Sequence, residues 1–224
     1  MVALVDSRLR GNDEVLLFGF SPFFSTRPFG VFFMRKLVLS LTAAAALLAG
    51  ATQANAAAYA IDPTHTFASF EIGHFGTSTN RGRFDKKEGT IEFDRAAKTG
   101  KVDITLDITS INTGTTGFDK HLQSADLFNA AQFPTAKFVS TGMTFNGDKV
   151  SEIAGTLTLL GKTNPVTLKA NQFNCYTSPM LKREVCGGDF EATIDRTAFG
   201  LNYGVDWGFP KAVRLAIQVE AIKQ

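Results

Sequence analysis

Residues Lys101–Ile111 read KVDITLDITSI. Val102, Ile104, Leu106 and Ile108 fall on one side of an extended chain, and Lys101, Asp103, Thr105, Asp107 and Thr109 on the other. Strict alternation of this kind fits a β-strand with one buried face and one wet face, the usual state of an antiparallel sheet. A helix would scatter the same residues around its axis. The pattern recurs along the chain. Phe67–Phe75, Phe84 with Gly89–Phe93, Ala136–Phe145, Val150–Leu160, Pro165–Tyr176, Val185–Asp195 and Ala212–Lys223 all read as strands. Polar or Gly-containing turns separate them, among them Asn146-Gly147-Asp148, Gly161–Asn164 and the loop Gly76–Arg83. The Gly-rich, aromatic stretch Arg196–Pro210 reads as a long ordered loop. About eight antiparallel strands joined by short turns predict an all-β sandwich or barrel. Closure into a barrel removes exposed strand edges.

Gly117–Phe138 breaks the alternation. Phe118, Leu122, Ala125 and Phe128 recur at steps of three and four, which predicts a helical segment that Pro134 ends at or before Phe133. A short helix is marginal alone and needs an apolar surface. The expected place is across one end of the sheet, seated by Leu122 and Phe128. The fold class is therefore all-β, about eight strands, with a short helical insert over one end.

The chain divides into three parts. Met34-Arg35-Lys36 opens a short basic region, Leu37–Ala49 is a small-apolar run, and Ala54-Asn55-Ala56 offers an A-x-A cleavage site. Residues 34–56 thus read as a secretory signal peptide cleaved after Ala56. The apolar run falls short of the about 20 residues of a transmembrane helix. Residues 1–33 are Phe-rich without periodicity and are expected to be an upstream extension foreign to the working protein, which starts at Met34. Residues 57–224 form one domain, expected to be exported. The whole chain carries 23 Lys+Arg and 21 Asp+Glu. The excess of base lies in the leader, so the domain is balanced in charge and gives no bulk reason to bind nucleic acid. Cys175 and Cys186 are the two cysteines of the chain. In an exported protein, a pair this close predicts a disulfide.

Function classes narrow by elimination. The sequence has no G-x-S-x-G elbow, P-loop, H-E-x-x-H or Rossmann fingerprint. His65 and His74 lie nine residues apart, so a regular strand points them to opposite faces, and no third metal ligand is evident. His121 with Asp119 and Asp126 suggests capping and surface roles more than acid–base chemistry. No catalytic residue and no metal site is assigned. The aromatics say more. Residues 57–224 hold fourteen Phe and the single Trp, Trp207. They suit either an ordinary core or an apolar ligand cavity. Strand parity in a barrel points Phe70, Ile72, Ile104, Leu106, Ile108, Leu157, Leu159, Phe190 and Ile194 inward. Phe84, Leu122, Phe128, Phe138, Phe199 and Trp207 join them as candidate ligand contacts, with His74 as a polar contact at a pocket mouth. Arg81 and Arg83 lie near the same mouth.

Several runs together resemble one family. They are Ile61-Asp62-Pro63-Thr64-His65-Thr66, Phe70-x-Ile72-x-His74-Phe75-Gly76, Gly82-x-Phe84, and Phe118-Asp119-x-His121-Leu122-x-Ser124-x-Asp126-x-Phe128 with Phe133-Pro134 and Phe138. Leu157-Thr158-Leu159-x-Gly161-x-Thr163-x-Pro165-Val166 and Asp195-Arg196-x-x-Phe199-Gly200-Leu201 complete the set. In this the chain is similar to the YceI family of bacterial periplasmic polyisoprenoid-binding proteins, over essentially all of residues 57–224. The resemblance implies a lipocalin-like barrel with a long apolar tunnel. It implies non-catalytic binding or carriage of an isoprenoid lipid, a polyprenyl phosphate or an isoprenoid quinone, and no other cofactor. A transient inner-membrane partner and a monomeric or dimeric state stay open. The alternative is an enzyme or stress-response factor that acts on such a lipid through the mouth histidines. Asn129, where the family often has Asp, Leu160 before Gly161, and the cysteine pair depart from the family pattern.

Overall fold

The computed structural model describes residues 56–224, so the leader and extension read above lie outside the described residues. The strand segments are β1 (Ala57–Ile61), β2 (Phe67–His74), β3 (Ser78–Phe84), β4 (Lys87–Asp94), β5 (Thr99–Asp107), β6 (Ile111–Asn112), β7 (Thr135–Asn146), β8 (Lys149–Leu159), β9 (Lys162–Thr177), β10 (Glu184–Asp195) and β11 (Ala212–Lys223). One α-helix, α1 (Thr116–Gln123), lies between β6 and β7. Every pairing is antiparallel.

Three pairs of segments act as single interrupted strands. β11 pairs with β1 through Ala221–Lys223 and with β2 through Arg214–Gln218, so β1 and β2 lie end to end along it. β4 pairs with β1 while β3 pairs with β2; β5 pairs with β4 while β6 pairs with β3. Counted in this way the sheet is a closed barrel of eight antiparallel strands. Closure leaves no free edge for another chain to pair with.

Two of the interruptions and one strand end share a local cause. Asp62, Asp107 and Asp195 each accept, on one carboxylate oxygen, the backbone N–H and the hydroxyl of the Thr two residues on: Thr64, Thr109 and Thr197. Each turn competes with the ladder and bends the chain at the end of β1, β5 and β10. The predicted strand Lys101–Ile111 therefore stops at Asp107, and residues 108–110 form a 3₁₀ turn.

Gly76–Arg83, predicted as a loop, is mostly β3. Its inward positions are Asn80, Gly82 and Phe84, opposite Ile72, Phe70 and Ala68 of β2. The apolar signal is missing because the Phe70 ring fills the place of a side chain at Gly82. A Cβ there would stand 2.4 Å from the ring.

The helical insert is shorter than its spacing predicts. α1 ends at Gln123, where Ser124 turns extended and its hydroxyl donates to the His121 carbonyl at 2.7 Å. Residues 124–134 are turns with Asn129 at φ +44°. Leu122 is buried beside Phe70 and Phe84, and Phe128 meets Phe84 edge-on at 6.0 Å. The insert is thus seated as expected.

Cys175 and Cys186 face each other across β9 and β10 and form a disulfide. Closing so short a loop contributes about 3 kcal/mol in the chain-entropy account. Cys175→Ser with Cys186→Ser is expected to lower the denaturant midpoint accordingly and to leave the slope nearly unchanged. An unchanged midpoint under oxidising conditions contradicts this.

The Asp62 turn also carries a pH-sensitive contact. The hydrogen bond from His65 at 2.8 Å, with those from Thr64, holds the Asp62 carboxyl down at about 2, and the same contact raises the His65 imidazole above its ordinary value. A depressed carboxylate stabilises above its unfolded pKa, ~3.9, and loses that contribution as pH falls toward 2. A raised imidazole stabilises below ~6.5 and loses it as pH rises through its folded value. The stability difference between wild type and Asp62→Asn is therefore expected to peak between about pH 4 and 6.5 and to shrink on both sides. Midpoints measured across that range test it, and a flat difference refutes it. The effect is small because His65 is exposed.

Candidate functional site: an apolar tunnel with an aromatic mouth

Inward side chains of the eight strands do not meet at the barrel axis. They leave a cavity of about 430 Å³ with an overwhelmingly apolar wall. It passes two clusters of packed side chains. One, at the helix end, holds Phe70, Phe84, Ile108, Leu122, Leu159 and Phe199. The other, at the disulfide end, holds Tyr59, Phe93, Val150, Ile153, Cys186 and Phe190. Residues of both line the same cavity, so it runs the length of the barrel as a tunnel.

At the disulfide end the wall includes Tyr59, Phe93, Phe173 and Cys186. Phe93 meets Phe173 edge-on at 5.6 Å. The Tyr59 hydroxyl donates to Glu184 at 2.6 Å, and burial with that bond pushes its pKa up. At the helix end the wall turns polar: His74, Asn80, His121 and Tyr203 join it. Tyr203 is 38% exposed, so the tunnel reaches the surface here. Rings surround this mouth. His74 packs on Phe75 and Phe209, and Tyr203 bridges His121 and Trp207, all with centroids 5.0–5.3 Å apart. Edge-to-face contacts of this kind add rigidity beyond the area they bury.

The loop over the mouth is built on Arg196. Its Nε donates to the Pro210 carbonyl at 2.8 Å, and its Nη1 to those of Leu201 at 2.7 Å and Tyr203 at 2.9 Å. One buried side chain thus pins both ends of residues 200–210. The loop otherwise consists of 3₁₀ turns with Gly200, Gly204 and Gly208 at positive φ.

Thirteen of the sixteen expected ligand contacts lie on the tunnel wall: Phe70, Ile72, His74, Phe84, Ile104, Leu106, Leu122, Phe128, Phe138, Leu157, Leu159, Phe190 and Ile194. Three do not. Ile108, expected inward on a strand, sits in the 3₁₀ turn made by Asp107 and packs behind the wall. Phe199 is likewise sealed in the core, 2% exposed, because the Asp195 turn rotates it away from the axis. Trp207 stands outside the mouth against Tyr203, 65% exposed. Sequence reasoning passed over Arg196, Tyr203 and Asn80 as wall residues, since each lies in a stretch without apolar alternation. Arg81 lies beside the mouth strand and pairs with Glu71 at 3.2 Å, and Arg83 pairs with Asp85 at 2.7 Å. Among the described residues no group of three His, Cys, Asp or Glu side chains could hold a metal ion.

A closed antiparallel barrel around an axial apolar tunnel, capped by a short helix, defines a lipocalin-like class of barrel. A model of the YceI-like domain matches residues 59–221, and the chain belongs to the YceI family. The protein YceI of Escherichia coli O6:H1 is 39% identical over 195 residues, which cover 85% of this chain and all of that one. A UPF0312 protein of Shewanella denitrificans is 37% identical, with 85% and 99% covered. Among solved structures, a YCEI protein of Campylobacter jejuni superposes with a TM-score of 0.59 at 27% identity, over 68% of this chain and 90% of that one. A polyisoprenoid binding domain from Saccharophagus degradans, at 16% identity, shares the fold with a TM-score of 0.54 over 75% and 99% of the two chains.

Proposed function

We propose that the protein binds or carries a long isoprenoid lipid in the periplasm, without catalysis. The tunnel carries this reading: a continuous apolar bore, open at a polar, aromatic end, is shaped for a long oily chain with a small head. Each buried CH₂ contributes about 0.8 kcal/mol. Ten of them supply about 8 kcal/mol, which is micromolar binding before association costs are deducted. The bore is mostly apolar, with Lys87 and Arg196 the cations on its wall, and therefore favours a long oily ligand over a compact one. The relative described as a polyisoprenoid binding domain supports the class of chain. The disulfide and the signal-like segment Met34–Ala56 support export to an oxidising compartment.

The test is direct. Protein purified from its host periplasm is extracted with organic solvent, and the extract is analysed by mass spectrometry. The expected result is a stoichiometric prenyl lipid. Protein confined to the cytoplasm, or delipidated protein that takes up no prenyl chain of any length, refutes the reading.

A further inference from the structure

Among the described residues seven large apolar side chains are exposed, and six of them gather at the two ends of the barrel. Phe75, Tyr203 and Trp207 belong to the mouth. Tyr176, Met180 and Leu181 belong to the β9–β10 hairpin at the disulfide end, and none of the three lines the tunnel. The tip of that hairpin is fixed in place. Ser178 is buried; its N–H donates to the Arg183 carbonyl at 2.9 Å, and its carbonyl accepts the Lys182 N–H at 2.9 Å. Its hydroxyl accepts the Leu181 N–H at 3.2 Å. These bonds close residues 178–183 into a turn just beyond the disulfide, which clamps the two strands. Met180 is thereby held out at 90% exposure, with Leu181 at 49% and Tyr176 at 46%. An apolar tip fixed in water is unfavourable until a partner covers it.

Charge says what kind of partner. Phe93, Phe145, Val150 and Cys186 share one cluster, so the β4–β5 and β7–β8 turns open at the same end as the hairpin. The two turns and the tip carry Arg95, Lys98, Lys149, Lys182 and Arg183, and β11 ends beside them at Lys223. Arg95 and Lys223 share Glu184. Among the described residues no carboxylate stands within ion-pair distance of Lys98, Lys149, Lys182 or Arg183. Asp94 is buried and accepts the Ala97 N–H, which leaves Asp148 and the carboxylate of Gln224 as the open acids here. The helix end has no such excess: Asp119, Asp126, Asp195 and Asp206 stand there with Lys120, Lys162 and Lys211. The domain is balanced overall, so the positive end is a matter of placement.

We propose that the disulfide end docks on an anionic lipid bilayer. Met180 and Leu181 enter the acyl boundary, Tyr176 sits at headgroup level, and Lys98, Lys149, Lys182 and Arg183 face the anionic headgroups. A soluble polyanion would satisfy the cations but leave the apolar tip in water; a bilayer covers both. Docked in this way, the barrel turns its mouth to the water, free to exchange ligand there. The inference stands apart from the isoprenoid-binding reading and does not depend on what the tunnel holds.

The experiment is a vesicle titration of the protein purified from its host. Vesicles of phosphatidylglycerol and phosphatidylcholine in equal parts are expected to bind it about tenfold tighter or better than phosphatidylcholine alone, and the difference should fade as salt is added. Met180→Ser with Leu181→Ser is expected to weaken binding to the anionic vesicles about tenfold. Lys182→Gln with Arg183→Gln should weaken it and flatten the salt dependence. Orientation is read in the wild type without any substitution. Trp207, the single Trp of the chain, stands at the opposite end, so its emission should not shift to the blue on docking. Leu181→Trp in a Trp207→Phe background should shift. No preference for anionic vesicles at low salt overturns the inference. So does a blue shift of Trp207, which would put the mouth in the membrane. Binding to heparin but not to anionic vesicles overturns it as well and makes the basic end a site for a soluble polyanion. Each of these outcomes leaves the isoprenoid reading standing.

Discussion

Ile217→Trp is expected to expel long-chain lipid from a barrel that stays folded. Ile217 lies on β11 opposite Phe190 and Ala68, with its side chain on the tunnel wall. It packs with the disulfide-end cluster, while Leu215, the next inward residue, packs with the helix-end cluster. An indole at that point fills void rather than packed core, so any overpacking cost should stay within about 1–3 kcal/mol. Binding suffers more. If the new ring shuts six methylenes out of the far half, about 5 kcal/mol is lost, more than a thousandfold in affinity. Short prenyl chains that end before the obstruction should bind as before. The measurement is a titration with prenyl chains of rising length against both proteins. Equal uptake of the longest chain by wild type and variant would mean that the ligand does not run along the axis.

Phe199→Ala should act on stability and spare affinity. The ring is 2% exposed in the cluster that holds Ile108, Leu122 and Leu201, and it does not line the tunnel. Truncating a buried Phe costs about 3–5 kcal/mol. That is a large share of the ~5–15 kcal/mol that holds a typical domain. A denaturant midpoint reads the loss. The fraction that remains folded should bind lipid normally. A variant of wild-type stability that no longer retains lipid would place Phe199 on the ligand after all.

These two expectations separate residues that one rule grouped together. Parity along Lys101–Ile111 puts Ile104, Leu106 and Ile108 on one face, and the first two do line the tunnel. Ile108 leaves the pattern because Asp107 captures Thr109 and stops the strand one residue earlier. The same turn at Asp195 withdraws Phe199. Asp-x-Thr is visible in a sequence, but whether it beats the ladder depends on the neighbouring strand, so parity alone overshoots. β3 shows the opposite error. Asn80 and Gly82 carry no apolar signal, since Phe70 from β2 supplies the bulk across the pair.

Alternation within each strand depends only on local chain geometry. The all-β class, the approximate strand count, the two-faced strands, the seating of Leu122 and the cysteine pairing were therefore legible from residue order alone. The hollow axis, the mouth and the loop that Arg196 pins were not. They arise from how eight curved strands close and how far opposing side chains reach across the bore. Those distances join residues remote in sequence, and no local pattern encodes them.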